Sequence, residues 1–299
     1  MLSVVVGARG DEPNYTRARD VIYGRKFGMC LTMDIFTPKQ NANGIGLIAV
    51  VSGGFFSSTK NINPAVYQPF LKRGYTVFAV VHGSQPKFTV PEIVEDMNRS
   101  VRFIRHNAKD YHIDAGMLGI FGGSAGGHLS LMIGNGGKAG DPKAHDPVDR
   151  ESSRVKAVAA FFPPTDLLNY GLPGKEMLSR SFQPPFTAAV DYKEYDKKKA
   201  VYLPVTDEKE QREISKSISP INFVTADSPP TLLMHGDKDE LVPMQQSEIM
   251  VAKLKAAGVP AELIVKKGEK HGWPTIVLDL ETFADWFDKY LAAKKTASK

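Results

Sequence analysis

Phe121-Gly122-Gly123-Ser124-Ala125-Gly126-Gly127-His128 is the stretch whose reading decides the fold of this chain. A short apolar run, Met117 to Phe121, leads into it, and a helical pattern from Ala125 to Ile133 leads out. Gly-x-Ser-x-Gly at a strand-to-helix junction has a steric reason. A residue on so sharp a turn needs small neighbours two positions to either side, and the serine is held in a strained backbone with its oxygen above the sheet. The competing reading is a tight turn whose serine only caps the next helix. A strand before and a helix after favour the nucleophile.

Outward from this turn, short apolar runs alternate with longer amphipathic stretches. Upstream, Val21-Ile22-Tyr23 and Leu31 to Phe36 read as a pair of opening strands, ended by Thr37-Pro38. Gly46 to Val51 and Tyr75 to Val81 lack polar alternation, as expected inside a parallel sheet. Pro91 to Asn107 is predicted as a helix, with Glu92, Glu95 and Asp96 early and Arg102 and Arg105 late, in keeping with the helix dipole. Downstream, Val155 to Phe162, Thr231 to His235 and Ala261 to Val265 read as strands. Ser247 to Ala257 and Leu278 to Leu291 read as helices. The alternation predicts an α/β architecture, a mostly parallel central sheet flanked by helices on both faces. Residues 164–219 are rich in Pro, Lys and Glu with weak periodicity. They are expected to form an insertion of short helices and loops, a lid on a single domain spanning 1–299.

Composition excludes several function classes. Lys plus Arg is 38 and Asp plus Glu is 33, a net charge of +5 with no basic stripe interleaved with aromatics, so no nucleic-acid partner is expected. The densest basic run, Lys197-Lys198-Lys199, lies among Asp191, Glu194 and Asp196. No apolar run approaches the roughly 20 residues that cross a bilayer. Met1 to Val6 is too short for a signal-peptide core, which leaves the compartment open between cytoplasm and export. A single cysteine, Cys30, precludes an intrachain disulfide, and its setting, Met29-Cys30-Leu31, reads as buried strand. There is no His-Glu-x-x-His, no Cys/His cluster and no phosphate-binding lysine in the glycine-rich turn. Neither a metal nor a cofactor is expected.

A serine hydroxyl needs a base, and the base needs an orienting carboxylate. In a strand-turn-helix setting these partners should follow in the order acid then histidine, each after a later strand. Leu232 to Asp239 is a strand running into an acidic loop, closed by Leu241-Val242-Pro243, and Lys267 to Trp273 follows the last strand. Asp237 and Asp239 compete for the acid. Asp239 is favoured because it lies further into the loop, where Asp237 would more naturally cap the turn. Of seven histidines, only His271 follows both the acid and the last strand, whereas His128 and His235 read as structural. Oxyanion donors are expected from Ala125, after the nucleophile, and from Gly53, Gly54 and Phe55, after the strand Gly46 to Val51. Phe56 and Trp273 are expected to line the substrate pocket.

The chain resembles the esterase/lipase branch of the α/β-hydrolase superfamily, the group with BD-FAE-type esterases and prolyl-oligopeptidase-related hydrolases. The resemblance is carried by Leu31 to Pro38, Ser52-Gly53-Gly54-Phe55-Phe56, Gly122 to Leu129, Ser219-Pro220, and His235 to Asp239 through Val242-Pro243. It implies an α/β-hydrolase fold, Asp239 as the acid, and hydrolysis of small-molecule carboxylic esters through an acyl-enzyme without a cofactor. One departure stands out. Such loops usually open His-Gly-Gly, and Ser52 takes the place of the histidine, which implies an altered pocket rather than a dead enzyme. Two other readings compete. An oligopeptidase-like peptidase normally carries a large selecting domain, for which 299 residues leave no room. A non-catalytic binding protein on this fold usually loses one of the three residues kept here.

Overall fold

A computed structural model describes residues 13–178 and 184–292; the Met1–Val6 run and residues 179–183 of the insertion lie outside them. The chain opens with a long hairpin, β1 (Tyr15–Lys26) and β2 (Met29–Pro38). β3 (Gly46–Val50), β4 (Thr76–Val81), β5 (Leu118–Gly123) and β6 (Ala157–Phe161) follow. A small hairpin, β7 (Lys193–Asp196) and β8 (Val201–Pro204), lies in the insertion, and β9 (Thr231–Gly236) and β10 (Ala261–Lys266) come last. One eight-stranded sheet has the order β1-β2-β4-β3-β5-β6-β9-β10. It is parallel from β4 to β10, with β2 and β1 antiparallel at one edge.

The helices are α1 (Gln68–Lys72), α2 (Val90–His106), α3 (Ala125–Gly136), α4 (Glu208–Ser217), α5 (Gln245–Ala256) and α6 (Leu280–Leu291). Strand β3 shows why the central runs lack polar alternation. Its Ile48 and Val50 join a core with Ile93 and Met97 of α2, Leu129 of α3 and Leu254 of α5. On the opposite face, Leu47 and Ala49 join Phe70 of α1 and Phe283 and Phe287 of α6. Both faces are covered, so every residue of β3 is buried. At the start of α2 the Glu92 carboxylate accepts the Thr89 backbone N–H at 2.8 Å, and Pro91 stands in the first turn.

Three sequence expectations need correcting. Cys30 is exposed rather than buried, because β2 there pairs only with the outlying arm of β1 and turns the thiol away from Leu31. Strand β1 is far longer than Val21 to Tyr23. Its half-buried Arg17 and exposed Arg19 and Asp20 hide the strand from any hydrophobic pattern. The insertion holds a β-hairpin as well as a helix. Lys197-Lys198-Lys199 form the hairpin's turn, where Asp196 Oδ1 accepts the Lys198 and Lys199 amides at 2.9 and 3.1 Å. Among the described residues, no helix is long and apolar enough to cross a membrane.

Candidate active site

The C-terminal ends of β5, β9 and β10 deliver the three residues singled out in the sequence. Ser124 follows β5 directly, with φ +54° and ψ −120°, a backbone state that costs a residue with a side chain about 1–3 kcal/mol. Two backbone bonds hold it there: its N–H donates to the Phe161 carbonyl at 2.9 Å, and its carbonyl accepts the His128 N–H at 2.9 Å. The flanking glycines are sterically required. A methyl on Gly122 would lie 2.6 Å from the carbonyl group of Gly126, and one on Gly126 would lie 3.0 Å from the Val50 carbonyl oxygen.

The structure brings Ser124, Asp239 and His271 together. His271 Nε2 is 2.9 Å from Ser124 Oγ, and its Nδ1 is 2.7 Å from Asp239 Oδ2. The Phe162 ring lies 4.3 Å from the imidazole, centre to centre, and restricts its tilt. Asp239 Oδ1 accepts the Leu241 and Val242 amides, both at 2.9 Å. Burial alone would raise the Asp239 carboxyl. Hydrogen bonds from His235, His271 and the Val242 amide, with the nearby His271 charge, outweigh it and hold the group well below the usual carboxylate range. Asp237 takes no part in the Ser124–His271–Asp239 contacts and accepts the Gly268 amide at 2.7 Å, bridging the loops after β9 and β10.

The expected oxyanion loop divides into two roles. Gly53 closes a tight turn with Phe56, donating to its carbonyl at 3.1 Å and accepting its N–H at 2.9 Å. The Gly54 and Phe55 N–H groups donate to nothing among the described residues. Both residues have positive φ, +56° and +63°, which turns successive amides the same way. Gln85 fixes them from behind, its side-chain amide donating to the Gly54 carbonyl and its backbone N–H to the Phe55 carbonyl. Ala125 opens α3, so its N–H has no carbonyl within the helix. The Phe55 ring turns inward against His128, whereas Phe56 is 38% exposed. Trp273 is buried in the core, edge-on to Phe161 and Phe162, with its indole N–H donating to Asp279 at 2.6 Å.

Sequence reasoning passed over three contributors. His235, read as structural, places Nε2 3.2 Å from Asp239 Oδ2. Gln85 carried no signal, since it lies in a loop distant in sequence from Gly54. Phe186 of the insertion places its ring where a side chain on Gly54 would project. Among the described residues, no group of three or more His, Cys, Asp or Glu could hold a metal ion.

Two buried histidines behind the site give the fold a pH dependence. Burial pushes His82 and His128 down to about 4 from the ordinary 6.5, the charge of Lys26 adding to the effect at His82. The unfolded chain takes up these protons near pH 6.5, and the folded chain refuses them until near pH 4. Stability is therefore complete above the upper value and is lost as pH falls through the window, by about 2 kcal/mol per histidine at pH 5. Urea unfolding at pH 7.5 and 5 should show the loss, and His128→Gln should remove about half of it. Equal stabilities at the two pH values would contradict the account.

Known proteins share this arrangement of strands. A truncated carbohydrate esterase from gut microbiota superposes with a TM-score of 0.74 at 26% identity, covering 93% of this chain and 99% of its own. The fold is that of the α/β-hydrolases. By sequence, Esterase LipQ of Mycobacterium tuberculosis is 28% identical over 216 residues, 71% of this chain and 46% of its own length. The probable carboxylic ester hydrolase LipM of the same organism is 24% identical over 246 residues, 81% of this chain and 52% of its own. The chain thus spans about half the length of the curated relatives it matches. The BD-FAE family model matches residues 33–254, from β2 through the serine turn and the acid loop into α5. The chain therefore belongs to the BD-FAE family.

Proposed function

We propose that this protein is a serine carboxylesterase that cleaves small-molecule carboxylic esters, short-chain or carbohydrate-linked, through an acyl-enzyme on Ser124. The observation that carries the reading is the unbroken hydrogen-bonded chain Ser124–His271–Asp239, beside three unspent N–H groups at Gly54, Phe55 and Ala125. His271 Nε2 takes the Ser124 proton as Oγ attacks the ester carbonyl, and the three amides receive the developing oxyanion. His271 then protonates the leaving alcohol, and a water activated by the same imidazole releases the acid. Asp239 keeps Nδ1 protonated throughout, so that Nε2 is free to act as the base. The names of LipQ, LipM and the gut carbohydrate esterase support the same class of reaction.

The test is hydrolysis of p-nitrophenyl esters from acetate to laurate, with fluorophosphonate labelling in parallel. Turnover of the short esters together with labelling is the expected result. No turnover at any length and no labelling would overturn the reading.

The insertion at 164–219 acts in this proposal as a lid on the single hydrolase domain, and among its described residues Phe186 reaches the oxyanion loop. A ring over Gly54 shortens the space beside the donors and favours short acyl groups. Phe186→Ala should raise kcat/KM for octanoate relative to acetate by about tenfold, in the range that one or two filled methylene sites confer. An unchanged chain-length profile would remove Phe186 from the pocket.

A further inference from the structure

The acid of the proposed triad carries a second histidine. His235, at the end of β9, is fully buried. Its Nδ1 is 2.8 Å from Ser247 Oγ of α5. Its Nε2 is 2.8 Å from the Val242 carbonyl and 3.2 Å from Asp239 Oδ2. A carbonyl and a carboxylate only accept, so Nε2 carries the proton. The Ser247 hydroxyl has no other partner among the described residues, so it donates to Nδ1. The ring is thereby held in one tautomer and one orientation. The result is a chain of five groups, Ser124–His271–Asp239–His235–Ser247, in which serine and histidine recur on both sides of one carboxylate.

We propose that His235 is a positioning residue for the esterase chemistry: its single Nε2–H, directed to the Val242 carbonyl at 2.8 Å and lying 3.2 Å from Asp239 Oδ2, is shared with the carboxylate and closes the acid loop that aims it at His271. The proposal rests on the esterase reading. Two donors come from the loop itself, the Leu241 and Val242 amides on Oδ1. They fix one oxygen only. Oδ2 must stay in line with His271, and His235 restrains it from the far side. A residue kept for packing alone would place no polar atom on the carboxylate.

The titratable groups facing His235 are few. Asp239 is in contact, His271 lies beyond it, and Tyr170 of the insertion donates its hydroxyl to the Leu241 carbonyl at 3.0 Å. Helix α5 contributes only the neutral Ser247, and the Phe162 ring stands 6.3 Å away. Removing the His235 N–H leaves the Asp239 charge less offset. The imidazolium form of His271 is then better stabilised, and the acid limb of the rate profile moves to higher pH.

The experiment compares His235→Leu, His235→Gln and Ser247→Ala with the wild type. It measures kcat per active site counted by fluorophosphonate, KM, the acid limb of kcat/KM, and the thermal midpoint. His235→Leu is expected to lower kcat about tenfold with KM within about twofold, as a small misplacement of the base requires. Its acid limb should rise by about half a pH unit. Glutamine, whose amide can still donate toward the Val242 carbonyl, should restore part of both effects, and Ser247→Ala should show the same two effects more weakly. Lower thermal midpoints with kcat per site and acid limb unchanged in folded variants would overturn the proposal and leave His235 a packing residue. Should the leucine variant not fold, the glutamine and Ser247→Ala proteins decide by the same two readouts. A wild-type protein that neither turns over esters nor reacts with fluorophosphonate would overturn the esterase reading, and this proposal with it. A wild type that does both, with unmoved variants, overturns the proposal alone.

Discussion

Ser124→Ala is expected to lower kcat on p-nitrophenyl acetate by about 10⁵-fold while the fold and its thermal midpoint stay close to the wild type. The size of the effect follows from cooperation within the triad. Without Oγ, the His271 base and the Asp239 carboxylate have nothing to activate, so deleting one member costs nearly as much as deleting all. The residual rate comes from a water attacking an ester already polarised by the Gly54, Phe55 and Ala125 amides. Folding is spared for a local reason. Serine and alanine both have a Cβ, so the strain at φ +54° is the same in either, and the two bonds that hold the turn are made by the backbone. Paired rate and melting measurements check both halves. A rate within tenfold of wild type in a folded variant would remove Ser124 from the chemistry.

The elbow was legible in the sequence because its constraint is local. Gly122 and Gly126 are needed by contacts within four residues and with the adjacent strand, and such a requirement leaves a fixed spacing. The central strands were legible for a related reason: burial on both faces leaves continuous apolar runs. What stayed hidden depends on contacts made across the fold. β1 is an exposed edge whose charges suit solvent on one face, so its pattern resembles a loop. The β7–β8 pair has almost no buried residue, and it is held by the cross-strand Tyr195–Tyr202 contact and an Asp196 turn rather than by a core. Gln85 and Phe186 reach Gly54 from positions 31 and 132 residues away in the chain, distances at which no spacing rule operates. His235 is the instructive intermediate. Its place four residues before Asp239 is visible, but its contact with the carboxylate depends on the loop folding back to offer the Val242 carbonyl.

That loop geometry makes Asp239→Asn the second most damaging substitution, although it alters a single atom of the side chain. The Leu241 and Val242 amides both donate to Oδ1, so the oxygen of an asparagine must stay on that side. Its NH₂ is then forced into the place of Oδ2, facing His271 Nδ1 and His235 Nε2. His235 Nε2 already carries a proton toward the Val242 carbonyl, so one of the new amide hydrogens meets another donor. The second amide hydrogen requires His271 Nδ1 to accept. The imidazole proton must then move to Nε2, where it points at Ser124 Oγ and prevents that nitrogen from acting as a base. A loss of about 10⁴-fold in kcat follows from the wrong tautomer, with the geometry of the site otherwise kept. Fluorophosphonate labelling should slow in parallel, because it depends on the same activation of Ser124, whereas KM should change little. A variant that kept both rates within tenfold would mean that His271 is oriented by something other than Asp239, and the acid would have to be sought elsewhere in the loop after β9.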